Sequence, residues 1–271
     1  MIPYINQKWI FRKRRVDESK IKLRLFLFPP AGSDISVYHG WEKSLPAECE
    51  ICLIRLPGRG GRIKDDLIDD CIQLANEITD YIGQFFDIPY ALFGHSMGAL
   101  IAYETAVQIF ERGLRLPEKL FLSGLKAPNY MNLKSKCFLG IMEQDDDYLY
   151  LMSDKDLKNK LYEIGGIPDF FKNDSEIVDM LLPVFRNDLK LCETFKTDNV
   201  TRLPVPIDVY GGNADKIATK EDLEKWRECS EFEVTINLFS GGHFYFNNEN
   251  RFFMFNLSKR LEDIISFISD I

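Results

Sequence analysis

The sequence predicts an α/β protein built on a mostly parallel, doubly wound sheet that carries a helical insertion. Three observations support this. Short apolar runs rich in β-branched and aromatic residues alternate with amphipathic helical patterns from Leu23 to the end of the chain. Several of the runs are almost continuously apolar, as strands covered on both faces must be. One long stretch, residues 127–203, holds helix-like patterns and no good strand.

The elements follow in order. Strands are expected at Leu23–Phe28 (LRLFLF), 50–55 (EICLIR), 90–93 (YALF), Lys119–Ser123 (KLFLS), 207–210 (IDVY) and 233–239 (EVTINLF). Ile72, Ala75, Ile78, Ile82 and Phe85 recur at spacings of three and four, one face of a helix, and Leu257, Leu261, Ile264, Ile265 and Ile268 do the same near the end. A helical stretch is also expected at 38–45. Residues before about Ser19 are read as a tail bearing the cluster Arg12-Lys13-Arg14-Arg15. Within 127–203, helix-like patterns at 157–161 and 177–185 flank the turn Gly165-Gly166-Ile167-Pro168, and an acidic run, Asp145-Asp146-Asp147, precedes them. The stretch is too long for a plain crossover. Because the chain returns to a strand at Ile207, it is expected to be an insertion over one edge of the sheet in a single domain, 1–271, rather than a separate helical domain.

Composition narrows the function. The 271 residues are 45% hydrophobic and 28% charged, as in a soluble globular protein, and the net charge of −8 argues against nucleic acid as a partner. No apolar run approaches the roughly 20 residues that span a bilayer. The first run is broken by Arg24 and ends in Pro29-Pro30, unlike a signal peptide, so a cytoplasmic location is expected. Cys71, Cys137, Cys192 and Cys229 are scattered, and the Cys49-x-x-Cys52 pair has no second pair to complete a zinc site. All six are expected to be reduced and structural, with no metal bound.

Gly94-His95-Ser96-Met97-Gly98 fits G-x-S-x-G. The pattern arises by chance in about one chain in ten of this length, so its context decides. YALF runs straight into it and ALIAYETAVQIF leaves it, the strand–turn–helix setting in which a serine is lifted above a sheet. Residues with side chains at the two glycine positions would collide with strand and helix. Ser96 is therefore the candidate nucleophile, at the positive end of the following helix.

Of three histidines, His95 lies inside the turn and is read as packing, and His39 as a surface or boundary residue. His243, in Ser240-Gly241-Gly242-His243-Phe244, follows the last strand at its carboxyl end, where such sheets place their sites. It is the candidate base. In enzymes with this turn the acid lies between serine and histidine in the chain. Asp215, in the loop after the strand at Ile207, is chosen over Asp208, inside that strand, and Asp222, at the start of a helix. Two amides are expected to hold an oxyanion: Met97, directly after the serine, and Ala31, in the loop after the first sheet strand, since Pro30 has no N–H.

These motifs resemble a known family. Pro29-Pro30-Ala31-Gly32, Leu56-Pro57-Gly58-Arg59-Gly60, Leu92-Phe93-Gly94-His95-Ser96-Met97-Gly98-Ala99, Ser123-Gly124 with Ala127-Pro128, the stretch 161–168 and Gly241-Gly242-His243-Phe244 are similar to the type II thioesterases of nonribosomal peptide and polyketide synthases. The resemblance implies an α/β-hydrolase fold, a helical lid at about 127–203, and a triad of Ser96, Asp215 and His243. It also implies hydrolysis of acyl or aminoacyl thioesters held on the phosphopantetheine of an acyl or peptidyl carrier protein. No other cofactor, no nucleic acid and no membrane are implied, and a monomer is expected. Pro30 stands where members commonly carry His, Tyr or Gln, and the insertion near 134–150 is longer than usual. Arg59 and Arg62 are read either as phosphate contacts at the entrance or as packing of their loop, and the basic tail either as steering for an acidic carrier or as a solvated turn. A general carboxylesterase, an acyltransferase or cyclase, and a non-catalytic binding protein on the same fold are the alternatives.

Overall fold

In a computed structural model, residues 8–131, 148–164, 167, 175–197, 200–246 and 251–269 are described. The strands are β1 (Ile10–Lys13), β2 (Leu23–Phe28), β3 (Cys49–Ile54), β4 (Tyr90–His95), β5 (Lys119–Ser123), β6 (Ile207–Gly212) and β7 (Thr235–Phe239). The helices are α1 (Cys71–Ile82), α2 (Met97–Glu111), α3 (Asp154–Ile164), α4 (Ser175–Thr194), α5 (Lys220–Glu224) and α6 (Arg251–Ser269). One sheet runs β1-β3-β2-β4-β5-β6-β7, all parallel except β1, which pairs antiparallel with β3.

The alternation of side chains along the strands builds two cores. On β2, Phe26 and Phe28 face the layer of α1 and α2, while Leu23, Leu25 and Leu27 face the layer of α6. Both sets are buried, which is why β2 reads as one apolar run. In the α6 layer, Phe93 of β4 sits 5.2 Å from the ring of Trp41 and 6.1 Å from Phe253. Each such buried side chain contributes about 1.5–3 kcal/mol. α1 starts at an Asp70 side chain that accepts the Gln73 N–H, and its buried face is Cys71, Leu74, Ala75, Ile78, Thr79 and Ile82. Ile72, expected on that face, points to solvent.

Two further expectations need correcting. Residues 35–45 form two short 3₁₀ turns, Ile35–Tyr38 and Trp41–Lys43, instead of one helix. The tail is partly strand: β1 covers the outer edge of β3, with Ile10 opposite Ile54 and Lys13 opposite Ile51. Charge hides this strand in the sequence, because its arginine and lysine side chains are spent on ion pairs. Arg12 meets Glu50 and Glu18, Lys13 meets Glu42, and Arg14 meets Glu18. Arg15 donates to the carbonyls of Lys43 and Leu45.

Between β5 and β6 the described residues hold short 3₁₀ turns and the helices α3 and α4, and no named strand. The acidic run 145–147 and most of the turn 165–168 lie outside the described residues. Five cysteines, 49, 52, 71, 192 and 229, are free and buried; Cys137 lies outside the described residues. Burial pushes the Cys49 thiol up to about 12, so it stays protonated. No helix among the described residues is long and apolar enough to cross a membrane.

Candidate active site

Parallel strands deliver their following loops to one rim. Register brings Phe28 beside Gly94, His95 beside Ser123, Ser123 beside Tyr210, and Gly212 beside Phe239. The loops after β2, β4, β5, β6 and β7 therefore share the carboxyl edge of the sheet.

At the end of β4 the chain turns sharply into α2. Ser96 has φ 54° and ψ −124°, and it is the only non-glycine residue with positive φ among those described. Its amide donates to Ser123 O at 2.8 Å, which pins the turn to β5. The flanking glycines are required by close approach: a β-carbon on Gly94 would strike the Gly98 carbonyl, and one on Gly98 would strike the Phe28 carbonyl. The first helical bond of α2 is Ala99 N–H to Ser96 O at 2.8 Å. The amides of Met97 and Gly98 stand ahead of it, where a helix offers donors to a negative charge.

β7 lies three strands from β4, about 14 Å at ordinary strand spacing, so the loop after β7 must fold back to reach Ser96. It does so in two steps. The loops after β6 and β7 are first joined, by Asn213 N–H to Phe239 O at 2.8 Å, Ala214 N–H to Gly241 O at 2.9 Å and Gly241 N–H to Asn213 Oδ1 at 3.2 Å. Residues 243–246 then return over β5. Tyr245 OH and Ser123 Oγ share a hydrogen bond of 2.6 Å, and the rings of Tyr245 and Phe246 are buried.

This places His243 Nδ1 2.9 Å from Asp215 Oδ2, with both side chains buried. The other carboxylate oxygen of Asp215 accepts the Ile217 N–H at 2.8 Å, so the acid is held at both ends. The His243 ring lies 4.6 Å, centroid to centroid, from the ring of His95, the residue directly before Ser96. The carboxylates set aside are committed elsewhere: Asp208 pairs with Lys119 and Arg260, and Asp222 closes a capping box with Thr219. His39 is exposed.

Ala31 follows Pro30 in the loop after β2. Ser33 N–H donates to Pro30 O at 3.2 Å and Gly32 has φ 68°. Closure of the turn on the Pro30 carbonyl directs the Ala31 N–H, on the other side of the same trans peptide, away from the turn. Among the described residues no three His, Cys, Asp or Glu side chains gather as a metal site.

A profile of the thioesterase domain family matches residues 23–270. The chain belongs to the thioesterase domain family. It is 34% identical over 227 residues to the gramicidin S biosynthesis protein GrsT of Aneurinibacillus migulanus, covering 84% of each chain. Among solved structures it is similar to RedJ, a thioesterase of the prodiginine pathway of Streptomyces coelicolor. That match has a TM-score of 0.77 and 32% identity, covering 90% of this chain and 92% of RedJ. It is also similar to BorB, the type II thioesterase of the borrelidin biosynthetic cluster, with a TM-score of 0.75 and 28% identity over 97% of this chain and 96% of BorB. The resemblance read from the motifs and the α/β-hydrolase fold it implies are both borne out.

Two groups in this thioesterase are invisible to motif reading. The first lies beneath His243. His95 Nδ1 and Ser123 Oγ are 2.8 Å apart, and Ser123 continues to Tyr245. Burial, with the neighbouring His243, keeps the His95 imidazole well below its usual range and so neutral. His95 is thus packing, as expected, but it packs against the candidate base itself. The second group is Arg59 with Asp188. The Arg59 guanidinium donates to both Asp188 oxygens, at 2.5 and 2.7 Å, and Asp188 Oδ2 also accepts the Gly32 N–H at 2.8 Å. Arg62 is likewise used in packing, with its guanidinium 3.8 Å from the Trp9 ring centroid and bonded to Asp65. The sequence did hold one signal for Asp188: an acid set among Leu182, Phe185, Leu189 and Cys192 on the buried face of α4.

Proposed function

We propose that Ser96, His243 and Asp215 form a catalytic triad that hydrolyses acyl or aminoacyl thioesters carried on the phosphopantetheine of a synthase carrier protein. The observation that carries this reading is the 2.9 Å bond between His243 and Asp215 beside the strained serine, in a chain of the thioesterase family. Helices α3 and α4, within the insertion at 127–203, form the lid under which the arm enters.

The steps follow from the residues. With its Nδ1–H donated to Asp215, His243 presents an unprotonated Nε2 and takes the Ser96 hydroxyl proton as Oγ bonds to the thioester carbon. The amides of Met97 and Ala31 hold the resulting oxyanion. Its collapse breaks the C–S bond, and the imidazolium proton goes to the departing sulfur. A pantetheine thiol has a pKa near ~8.5, so it departs far more readily than an alcohol or amine. Water, deprotonated by His243, then attacks the acyl-serine, and the proton returns to Oγ as the carboxylic acid leaves. No step calls for a metal or a further cofactor.

The test is turnover of a carrier domain loaded in turn with acetyl, longer acyl and aminoacyl groups, beside a matched soluble oxygen ester. Ser96→Ala is expected to lose acyl release while keeping its thermal midpoint within a few degrees. Release by Ser96→Ala at a rate near that of the natural chain would refute the triad. Equal or faster cleavage of the oxygen ester would instead point to a general esterase.

A further inference from the structure

We infer that Asp188, on α4, is a positioning residue that holds the Ala31-bearing turn in its working conformation and so couples the lid helix to the oxyanion site. This rests on the reading of Ala31 as an oxyanion donor.

The argument starts from the turn. Residues 30–33 close through Ser33 N–H to Pro30 O, and only the third residue, Gly32, has positive φ. That is the signature of a type II turn, which differs from type I chiefly in the rotation of its central peptide. The central peptide here joins Ala31 to Gly32. Its N–H is the one that donates to Asp188 Oδ2 at 2.8 Å. Asp188 therefore favours the type II rotation, because a type I rotation would turn this N–H away from the carboxylate. The same helix presses on the turn a second time. Phe185, one turn before Asp188, lies with its ring where a β-carbon of Gly32 would be. α2 closes the loop from the opposite side, since Gly98 abuts the Phe28 and Pro29 carbonyls. The loop is thus clamped between the helix that follows Ser96 and the helix that carries Asp188.

Arg59 aims the carboxylate. Its planar fork binds both oxygens, both side chains are buried, and the Arg59 Nε–H is tied to Pro57 O at 3.2 Å. The Gly32 N–H needs an acceptor at this position. Asp188 Oδ2 accepts both Arg59 Nη1 and the Gly32 N–H, so an asparagine with its oxygen at that place would keep the Gly32 bond, whereas a leucine removes it. Movement of α4 away from the sheet would release the central peptide, so the oxyanion site is complete only while the lid helix is seated.

The experiment measures kcat and KM on acetyl-pantetheine thioester, thermal midpoint, and labelling by a fluorophosphonate. Asp188→Leu is expected to lower kcat at least about tenfold, toward the ~10²-fold cost of losing one oxyanion donor, with KM within about twofold. The double variant Arg59→Met with Asp188→Leu replaces the buried pair by apolar groups. It is expected to recover the thermal midpoint and not kcat. Recovery of kcat together with the midpoint would reduce Asp188 to a structural role and overturn the inference, as would Asp188→Leu turning over at the natural rate. Labelling keeps the two levels apart. An unlabelled natural enzyme removes the reading of Ser96 itself, whereas a labelled one with fully active Asp188→Leu removes only the role of Asp188.

Discussion

At Asp215 the proposed chemistry depends on one proton. In the proposed triad a carboxylate, 2.9 Å from His243 Nδ1, accepts its N–H and so would leave Nε2 free to take the serine proton. An amide of the same shape can donate in its place, which favours the tautomer with the proton on Nε2 and leaves no base. Asp215→Asn is therefore expected to lower kcat by about three to four orders of magnitude with little change in KM, measured by steady-state thioester hydrolysis. Ser96 carries a second cost. Its positive φ is strained for any side chain, and strain of this kind is on the order of 1–3 kcal/mol. Part of that is offset by the greater freedom of glycine in the unfolded chain. Ser96→Gly is expected to be as inactive as Ser96→Ala but more stable by about 1 kcal/mol, a rise of about 2–4 °C in thermal midpoint. Both residues were open to sequence reasoning, Ser96 because its turn demands two glycines and Asp215 because the chain order of the motif points to its loop. Asp188 was not, since a buried acid on a helix looks the same whether it meets an arginine, a backbone amide or nothing. The partners lie 129 and 156 positions away, and only the fold brings them together.

At the scale of elements, α4 holds the segment before α3 by both faces of its backbone. Glu193 accepts the amides of Leu149 and Tyr150 at 3.1 Å, and Arg186 donates to the carbonyls of Tyr150 and Met152 at 2.5 and 2.7 Å. Burial outweighs these two amide bonds and raises the Glu193 carboxyl to about 7. Between its ordinary value of 4.5 and about 7 the folded chain holds this proton more tightly than the unfolded one does. The contribution of Glu193 is present below about pH 4.5 and is lost as pH rises to about 7. Glu193→Gln, which does not titrate, is expected to narrow the fall in thermal midpoint between pH 5 and pH 7.5, as followed by calorimetry. An unchanged fall would show that the carboxyl is already ionised at pH 5. Sequence periodicity found α3 and α4 but set their ends short, because Ser175 and Thr194 lie beyond the apolar pattern that marks the helix. It also misplaced Ile72, since a spacing of three and four fits Ile72 and Cys71 almost equally and only packing selects Cys71.

Across the whole molecule, the rim with Ser96 and the basic cluster lie at opposite ends of the sheet. Lys13 is opposite Ile51, near the start of β3, whereas the site is built on loops that leave the far ends of the parallel strands. Arg14 and Arg15 thus lie at the end of the sheet away from the candidate site, and their charges are met by Glu18 and by backbone carbonyls. The double variant Arg14→Ala with Arg15→Ala is expected to keep kcat/KM for a loaded carrier within about twofold, with the same dependence on salt. A fall confined to low ionic strength would restore the steering role. The alternation of strands and helices made the doubly wound sheet legible from Leu23 onward, but not its first strand, where four consecutive basic residues mask a four-residue element.

That first strand has a practical consequence. The family match begins at residue 23, and a chain started there would keep every candidate site residue yet leave the outer edge of β3 bare. Cys-Glu-Ile-Cys-Leu-Ile would then present unpaired amides and carbonyls along an apolar ribbon whose single acid, Glu50, has also lost Arg12 as a partner. Such an edge recruits strands from neighbouring molecules. A chain trimmed to the span of the family match is expected to keep the candidate site residues but precipitate, and a gene design should begin ahead of Trp9.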